Sequence, residues 1–427
     1  MIDRPLVMFV YGTRPEAIKM APLVQLTAQS ARLAAYVVVT GQHRSMLDQV
    51  NEAFGIVPDA DLDIFEPGQG IESIVAKTLT SLTSVIREVQ PGAVVVHGDT
   101  STAFAAAQAA FYLGVPVIHL EAGLRTNDLT SPFPEEANRQ LIGRLAALHL
   151  APTGRNRASL LAENVDPDTI VVTGNTVIDA LQQMAARVTN DGTQNSRPPA
   201  NGSRPAAGTA VATDDPEQRR RQILVTMHRR ENLGQTMTGI ARALARIAQS
   251  HPDVDLLVPL HLNPAVRASV VPTLAHVPNV TITDPMGYTD FVAELTRCDL
   301  VVTDSGGLQE EGPGLGKPVL VIRNTTERPE AIEAGTVRLI GVEEEDIVAA
   351  VNEVLDDPAV YERMATAVNP YGDGLASPRC LAAIEELLGV GLREPDFVAH
   401  EGSLTRRLRH LTGLPRTATR TKRASSA

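Results

Sequence analysis

The 427-residue chain is short of aromatic residues: they make up 3%, and Trp is absent. That argues against stacking platforms for single-stranded nucleic acid. Positive charge is also in deficit, with a formal net charge of -12, which disfavours a general nucleic-acid or anionic-membrane binder. An anionic ligand would need a local cluster of Arg and Lys. There are only two cysteines, Cys298 and Cys380. They exclude a disulfide framework by number and form no Cys/His metal cluster. They read as two reduced thiols, and a cytoplasmic location is expected. No apolar run approaches the ~20 residues of a membrane span, and the run at 6–10 is too short for a signal segment. Neither GxGxxG nor GK[ST] occurs where a dinucleotide or P-loop site needs it.

Hydrophobic residues are 43% and charged residues 21%, as in ordinary globular proteins. The length predicts two α/β domains. Strand-like runs at 6–10, 36–39, 93–96, 116–120, 147–150 and 170–172 alternate with helix-like runs at 15–26, 71–89 and 103–113. This βαβα rhythm predicts a parallel sheet with helices on both faces. Residues 189–222 are rich in Gly, Pro, Ser, Asn and Ala and end in Arg219-Arg220-Arg221. They read as a flexible insertion, and the three arginines as a solvated charge run. A second series has strands at 223–227, 254–258, 280–283, 299–302, 318–322 and 336–340, with helices at 236–248 and from Glu345 and Pro378. The expected organisation is a first domain over 1–175, a second over 176–365, a helix at 366–390 returning to the first domain, and a basic, disordered tail at 391–427. The fold class expected is α/β, two doubly wound Rossmann-like domains facing a cleft.

Polar residues gather where the strands end. The first series carries Arg14, Gln42, His43, Asp99 and Glu121; the second carries His228, Arg229, His261, Ser305 and Arg323. One such residue is usually a cap, but so many on two sheets predict a ligand cleft between domains. The stretch 300–330 is the richest. Its apolar strand runs into Ser305-Gly306-Gly307, which opens a helix whose free N–H groups suit an anion, and Arg323 and Arg328 follow. Asp99 and Glu121 end apolar strands, where desolvated carboxylates suit acid/base work. Two plainer roles stand beside this: Asp99 capping the next helix with Ser101 or Thr102, and Glu121 pairing with Arg125. Glu135 and Glu136 open a helix after a Pro-flanked loop, where the dipole alone favours acids. His228-Arg229-Arg230-Glu231-Asn232 concentrates donors suited to a diphosphate. One of Glu310 and Glu311 suits ribose hydroxyls, the other a solvated helix position.

Several blocks together carry a family resemblance. They are Gly12-Thr13-Arg14-Pro15-Glu16-Ala17-Ile18-Lys19, Gln42-His43, His97-Gly98-Asp99-Thr100 and Glu121-Ala122-Gly123-Leu124-Arg125. Pro134-Glu135-Glu136-Ala137-Asn138-Arg139, Thr173-Gly174-Asn175-Thr176, His228-Arg229-Arg230-Glu231 and the stretch from Asp304-Ser305-Gly306-Gly307 to Arg328-Pro329-Glu330 complete the set. In this order they resemble the non-hydrolysing UDP-N-acetylglucosamine 2-epimerases. The resemblance implies a GT-B-like fold, interconversion of UDP-GlcNAc and UDP-ManNAc through UDP elimination and a bound 2-acetamidoglucal, no redox cofactor and no metal. It assigns catalysis to Asp99, Glu121, Glu135 and His228. UDP-sugar contacts fall to Arg14, Lys19, Met286, Phe291, Ser305, Gly306, Gly307, Glu311 and Arg328. It also implies a homodimer, and a second UDP-GlcNAc bound as activator near Gln42, Gln69, Glu136, Arg229 and His261.

Overall fold

A computed structural model describes residues 4–41, 44–66, 68–192 and 219–399. The first half begins with β1 (Leu6–Tyr11), α1 (Arg14–Gln29), β2 (Ala34–Val39), α2 (Arg44–Phe54), β3 (Ala60–Asp61), α3 (Ile71–Val89), β4 (Ala93–His97) and α4 (Ser101–Tyr112). It continues through β5 (Val117–Leu120), α5 (Glu135–Leu145), β6 (Leu148–Ala151), α6 (Gly154–Ala162) and β7 (Ile170–Val172). Helix α7 (Thr176–Gly192) then leads to the second half. That half contains β8 (Arg221–Thr226), α8 (Gln235–Ser250), β9 (Val254–Pro259), α9 (Pro264–Leu274), β10 (Val280–Thr283) and α10 (Tyr288–Arg297). It closes with β11 (Leu300–Thr303), α11 (Leu308–Gly314), β12 (Val319–Val321), α12 (Pro329–Glu333), β13 (Val337–Leu339), α13 (Glu344–Asp356), α14 (Pro358–Thr366) and α15 (Ala376–Leu387).

Two parallel sheets result, ordered β3-β2-β1-β4-β5-β6-β7 and β10-β9-β8-β11-β12-β13. Strands such as β1 and β4 are buried along nearly their whole length, because helices cover both faces and every side chain meets apolar partners. The α/β reading with two Rossmann-like domains therefore holds. Helix α2 and the two-residue β3 were not expected from the sequence. So short an edge strand carries no apolar run to announce it.

Helix α7 packs against α1 and α15 on one side and α10 and α11 on the other. Val177, Ile178, Leu181 and Met184 join one apolar cluster with Tyr288, Val292 and Leu295, so the halves share a seam. The expected insertion at 189–222 is shorter than read. Residues up to Gly192 complete α7 and β8 begins at Arg221, leaving 193–218 outside the described residues. The three arginines are about half exposed, as a solvated charge run is, and each also meets an acid: Arg219 pairs with Asp299 (2.6 Å), Arg220 with Asp255 (3.1 Å) and Arg221 with Asp253 (3.6 Å).

The start of the tail is likewise placed. The Phe397 amide donates to the Val172 carbonyl (2.7 Å), and Asp396 accepts from the Val172 amide (3.3 Å). Phe397 is buried beneath the Arg379 guanidinium. This segment covers β7, the edge of the first sheet, where exposed backbone groups would otherwise invite pairing. Residues 400–427 lie outside the described part.

Candidate active site

Both sheets reverse strand order at one point, between β1 and β4 and between β8 and β11. Crevices open there, beyond the carboxyl ends of the strands. Arg14, Asp99, His228, Arg229 and Ser305, named from the sequence, follow the strands at these two points.

On the first sheet, Glu16 organises the β1–α1 turn. Its Oε2 accepts from the amides of Gly12 (3.0 Å) and Thr13 (2.8 Å), and its Oε1 accepts from the Thr100 hydroxyl (2.6 Å). Thr100 in turn caps α4. The helix cap considered for Asp99 thus falls to its neighbour. Asp99 itself receives Nε (3.1 Å) and Nη2 (2.5 Å) of Arg139, a guanidinium held in place from α5. Glu121, one residue beyond β5, has φ 62°, a left-handed conformation uncommon for a non-glycine residue. Gly123 follows at φ 91°, and a Cβ there would lie 2.3 Å from the Asn156 carbonyl. Only glycine fits that turn.

Glu121 does not pair with Arg125, which binds Glu163 at 2.6 and 3.0 Å. Its Oε2 accepts instead from Lys19 Nζ (2.5 Å) and Asn175 Nδ2 (2.8 Å), with His97 Nε2 at 3.6 Å. Burial opposes its charge, but Lys19 and His97 outweigh burial and hold the carboxyl well below its usual range. Lys19 mirrors this: burial lowers its pKa, yet Glu121 and Glu310 keep the ammonium above its ordinary value. Lys19, expected among the UDP-sugar contacts, has Glu121 as its counter-ion. Glu135 begins α5, half-buried. Glu136 is fully buried and accepts from the Thr126 and Asn127 amides, Arg139 and Gln140. Burial opposes its charge as well, and these donors hold its pKa below the usual value. It fastens the loop between β5 and α5.

On the second sheet, buried Asp304 ties the two strand ends together. It accepts from the amides of His228 (3.0 Å) and Arg229 (2.9 Å) and from Asn232 (3.3 Å). The His228 ring lies beside it, Nδ1 3.3 Å from Oδ1 and 44% exposed. Desolvation and the neighbours Arg229 and His261 lower the His228 pKa against the pull of Asp304. Gly306 sits between the guanidinium groups of Arg229 and Arg328. Ser305, Gly306 and Gly307 form the turn before α11. Arg323 is spoken for by Glu231 (3.0 Å). Glu310 is buried against Arg328 (2.6 Å) and Asn175 (2.6 Å), so it is not a solvated helix residue. Burial pushes Glu311 up to about 7, with Lys19 and Arg14 resisting and Glu310 adding to the rise.

The two sets meet. Arg14 lines an open cleft of about 480 Å³ with Gln49 and Glu52 of α2 and Met286, Tyr288 and Asp290 of the second half. Burial lowers the Arg14 pKa, against the pull of Glu311 and Tyr288. Phe291 lies one helical turn on, partly buried against the core. A second gap, of about 20 Å³, is lined by Glu121, Asn175, Glu310, Arg328, Glu330 and Tyr371, room for roughly one water. A sugar enters there only if the halves part. Thr153 to Glu330 (3.1 Å) and Arg155 to Glu333 (3.6 Å) also span the cleft. Of the expected activator residues, Arg229 and exposed His261 lie by the second strand ends. Gln69 precedes α3, accepting from Lys77 at 3.5 Å, and Gln42, like His43, lies outside the described residues. Sequence reasoning gave no role to Asn175, Arg139 or Tyr371. The first two stood inside quoted motifs, whereas Tyr371 had no signal before its chain segment was folded back.

Two Rossmann-like domains facing each other across a charged cleft define a GT-B-like protein. Residues 25–385 match the family described as UDP-N-acetylglucosamine 2-epimerase. The Escherichia coli O157:H7 UDP-N-acetylglucosamine 2-epimerase is 50% identical over 379 residues, 89% of this chain and 98% of that protein. A putative UDP-N-acetylglucosamine 2-epimerase from Listeria monocytogenes is similar in structure, with TM-score 0.81 and 42% identity, covering 93% of this chain and 100% of that one. The Neisseria meningitidis UDP-GlcNAc 2-epimerase bound to UDP-GlcNAc has TM-score 0.78 and 42% identity, covering 90% and 100%. The chain belongs to the UDP-N-acetylglucosamine 2-epimerase family, a family of isomerases.

Proposed function

We propose that the protein epimerises UDP-GlcNAc at C2 to UDP-ManNAc, reversibly, by elimination and re-addition of UDP. The observation that carries this reading is the pairing of Glu121 with Lys19 directly opposite Arg328 and Glu310. An ionised carboxylate on one jaw faces a fixed guanidinium on the other, as proton removal beside a leaving anion requires.

In the forward direction a carboxylate takes the proton from C2. The C2–H electron pair forms the C1–C2 double bond of 2-acetamidoglucal, and the C1–O bond breaks with its electrons going to UDP. On return, the phosphate oxygen attacks C1 and a proton is delivered to the other face of C2. Glu121, held ionised, is suited to be a base. Asp99, aimed by Arg139, and Glu135 supply the other proton transfers. His228 assists the leaving diphosphate. Arg14, Arg328 and the Ser305–Gly307 turn bind UDP, Glu311 the ribose, and Met286 and Phe291 the uracil. Lys19 acts on the substrate through Glu121. The domain over 1–175, with 366–390 packed on it, closes on the domain over 176–365. The likeness to the UDP-GlcNAc-bound Neisseria protein supports UDP-GlcNAc as the ligand; a homodimer, and a second UDP-GlcNAc as activator beside Arg229 and His261, belong to the same proposal.

The test is incubation with UDP-GlcNAc alone in D2O, followed by NMR. UDP-ManNAc carrying deuterium at C2 is expected. Protium-only product would overturn the elimination route. Free sugar with UDP as the main products would point to hydrolysis, and a need for an acceptor to a glycosyltransferase.

A further inference from the structure

Asn175 lies just beyond β7, where the chain leaves the first sheet for α7, and it is 3% exposed. Its amide nitrogen stands 2.8 Å from Glu121 Oε2 and 2.6 Å from Glu310 Oε2. The other end of the side chain is fixed, since Oδ1 accepts from the Val177 amide at 3.1 Å. The orientation is therefore set by the network: a carbonyl toward an N–H, and an NH2 toward two acceptors. Its backbone is fixed as well, with the amide donating to the Tyr371 carbonyl at 2.6 Å. Two carboxylates from opposite halves thus converge on one nitrogen. Without a donor between them, like charges so close in a buried site would separate or take up a proton.

We propose that Asn175 is a positioning residue that bridges Glu121 of the first half and Glu310 of the second, so that the proton-transferring carboxylate and the Arg328 guanidinium reach the substrate in register. This rests on the C2 epimerisation reading above. Arg328 enters because its Nε is bound to Glu310 at 2.6 Å. The chain of contacts runs Lys19, Glu121, Asn175, Glu310, Arg328, with the neutral amide at the one place where two negative charges would otherwise touch. Closure of the halves completes the chain and opening breaks it at Asn175. The groups facing Glu121 are Lys19 from α1, His97 from β4, and Glu310 and Arg328 from the second half, with Tyr371 beside the last two.

Asn175→Asp keeps the acceptor for Val177 but puts a third carboxylate between the other two. The expected result is a loss of about a hundredfold in kcat at pH 7, the scale of a small misplacement of reacting groups. The acidic limb of kcat/KM should also move up by about one on the pH scale, with UDP affinity on the second half retained. Adding Glu310→Gln removes one of the clashing charges and should restore about tenfold of the rate, although Glu310→Gln alone lowers it. The same double-mutant cycle read by urea unfolding should show the same sign of coupling and needs no activity. Asn175→Ser serves if Asn175→Asp fails to fold, with a smaller upward movement of the acidic limb expected. An unmoved acidic limb, or a double variant whose losses simply multiply, would overturn the proposal. A wild-type protein that makes no UDP-ManNAc would instead overturn the functional reading, leaving the unfolding cycle to judge the bridge.

Discussion

Replacing Lys19 by Met separates two roles for this residue. The side chain keeps its length and apolar stem but loses the ammonium that lies 2.5 Å from Glu121 Oε2, in a pair only 14% and 13% exposed. At an effective dielectric of about 20, unit charges about 3 Å apart attract by roughly 5 kcal/mol. Losing that attraction would raise the Glu121 pKa. His97 and Arg328 remain nearby and offset part of that rise. Glu121 has a folded pKa below its unfolded one. Its stabilising contribution is therefore present above the unfolded value and lost as pH falls through the folded one. In Lys19→Met that contribution disappears. The acidic limb of kcat/KM should climb the pH scale toward neutrality, so that activity falls furthest at mildly acidic pH and recovers as pH rises. Pre-steady-state and steady-state pH–rate profiles across the acid, neutral and alkaline ranges measure this. A variant that keeps the wild-type profile and shows only a raised KM would refute the reasoning, because Lys19 would then be a phosphate ligand and nothing more.

Asp99→Asn should retain UDP binding by calorimetry while turnover falls by on the order of a hundredfold, since Arg139 would still hold the side chain but its charge is gone. Asp179, which accepts from the first amides of α15 at Ala376 and Ser377, is pushed by burial up to about 6. A folded pKa above the unfolded one means that its contribution is complete below about pH 4 and lost as pH rises through the folded value. Urea unfolding should show that fall in the wild type and not in Asp179→Asn, while Asp179→Ala should cost about 1 kcal/mol as a lost cap. Phe397→Ala should cost about 3 kcal/mol and, by loosening the cover over β7, raise the tendency to aggregate; denaturant midpoints and light scattering test both.

Much of the fold was legible because parallel strands buried on two faces must be apolar throughout. Runs such as Val7–Val10 and Val94–Val96 therefore announce themselves, as do the polar residues that end them. The gathering of Asp99, Glu121, His228, Ser305 and Arg328 at two switch points follows from the same rule. Pairings were not legible. Arg125 sits four residues after Glu121 and was its nearest cation in the chain, yet it binds Glu163. Lys19 is 102 positions away and binds Glu121. Glu136 differs from Glu135 by one position, but helix geometry turns it into the protein, where it holds a loop.

Residue type and order along the chain suffice for the alternating α/β order, the two sheets, the strand-end positions of the polar groups and the family. Which charges become partners depends on packing. It made Lys19 a counter-ion, lifted Glu311 to about 7 by burial, set Asn175 between Glu121 and Glu310, and laid the segment ending at Phe397 along β7. Electrostatics acts through space over a few ångströms, and the distances that matter arise only when the two halves and the returning C-terminal segment are packed together.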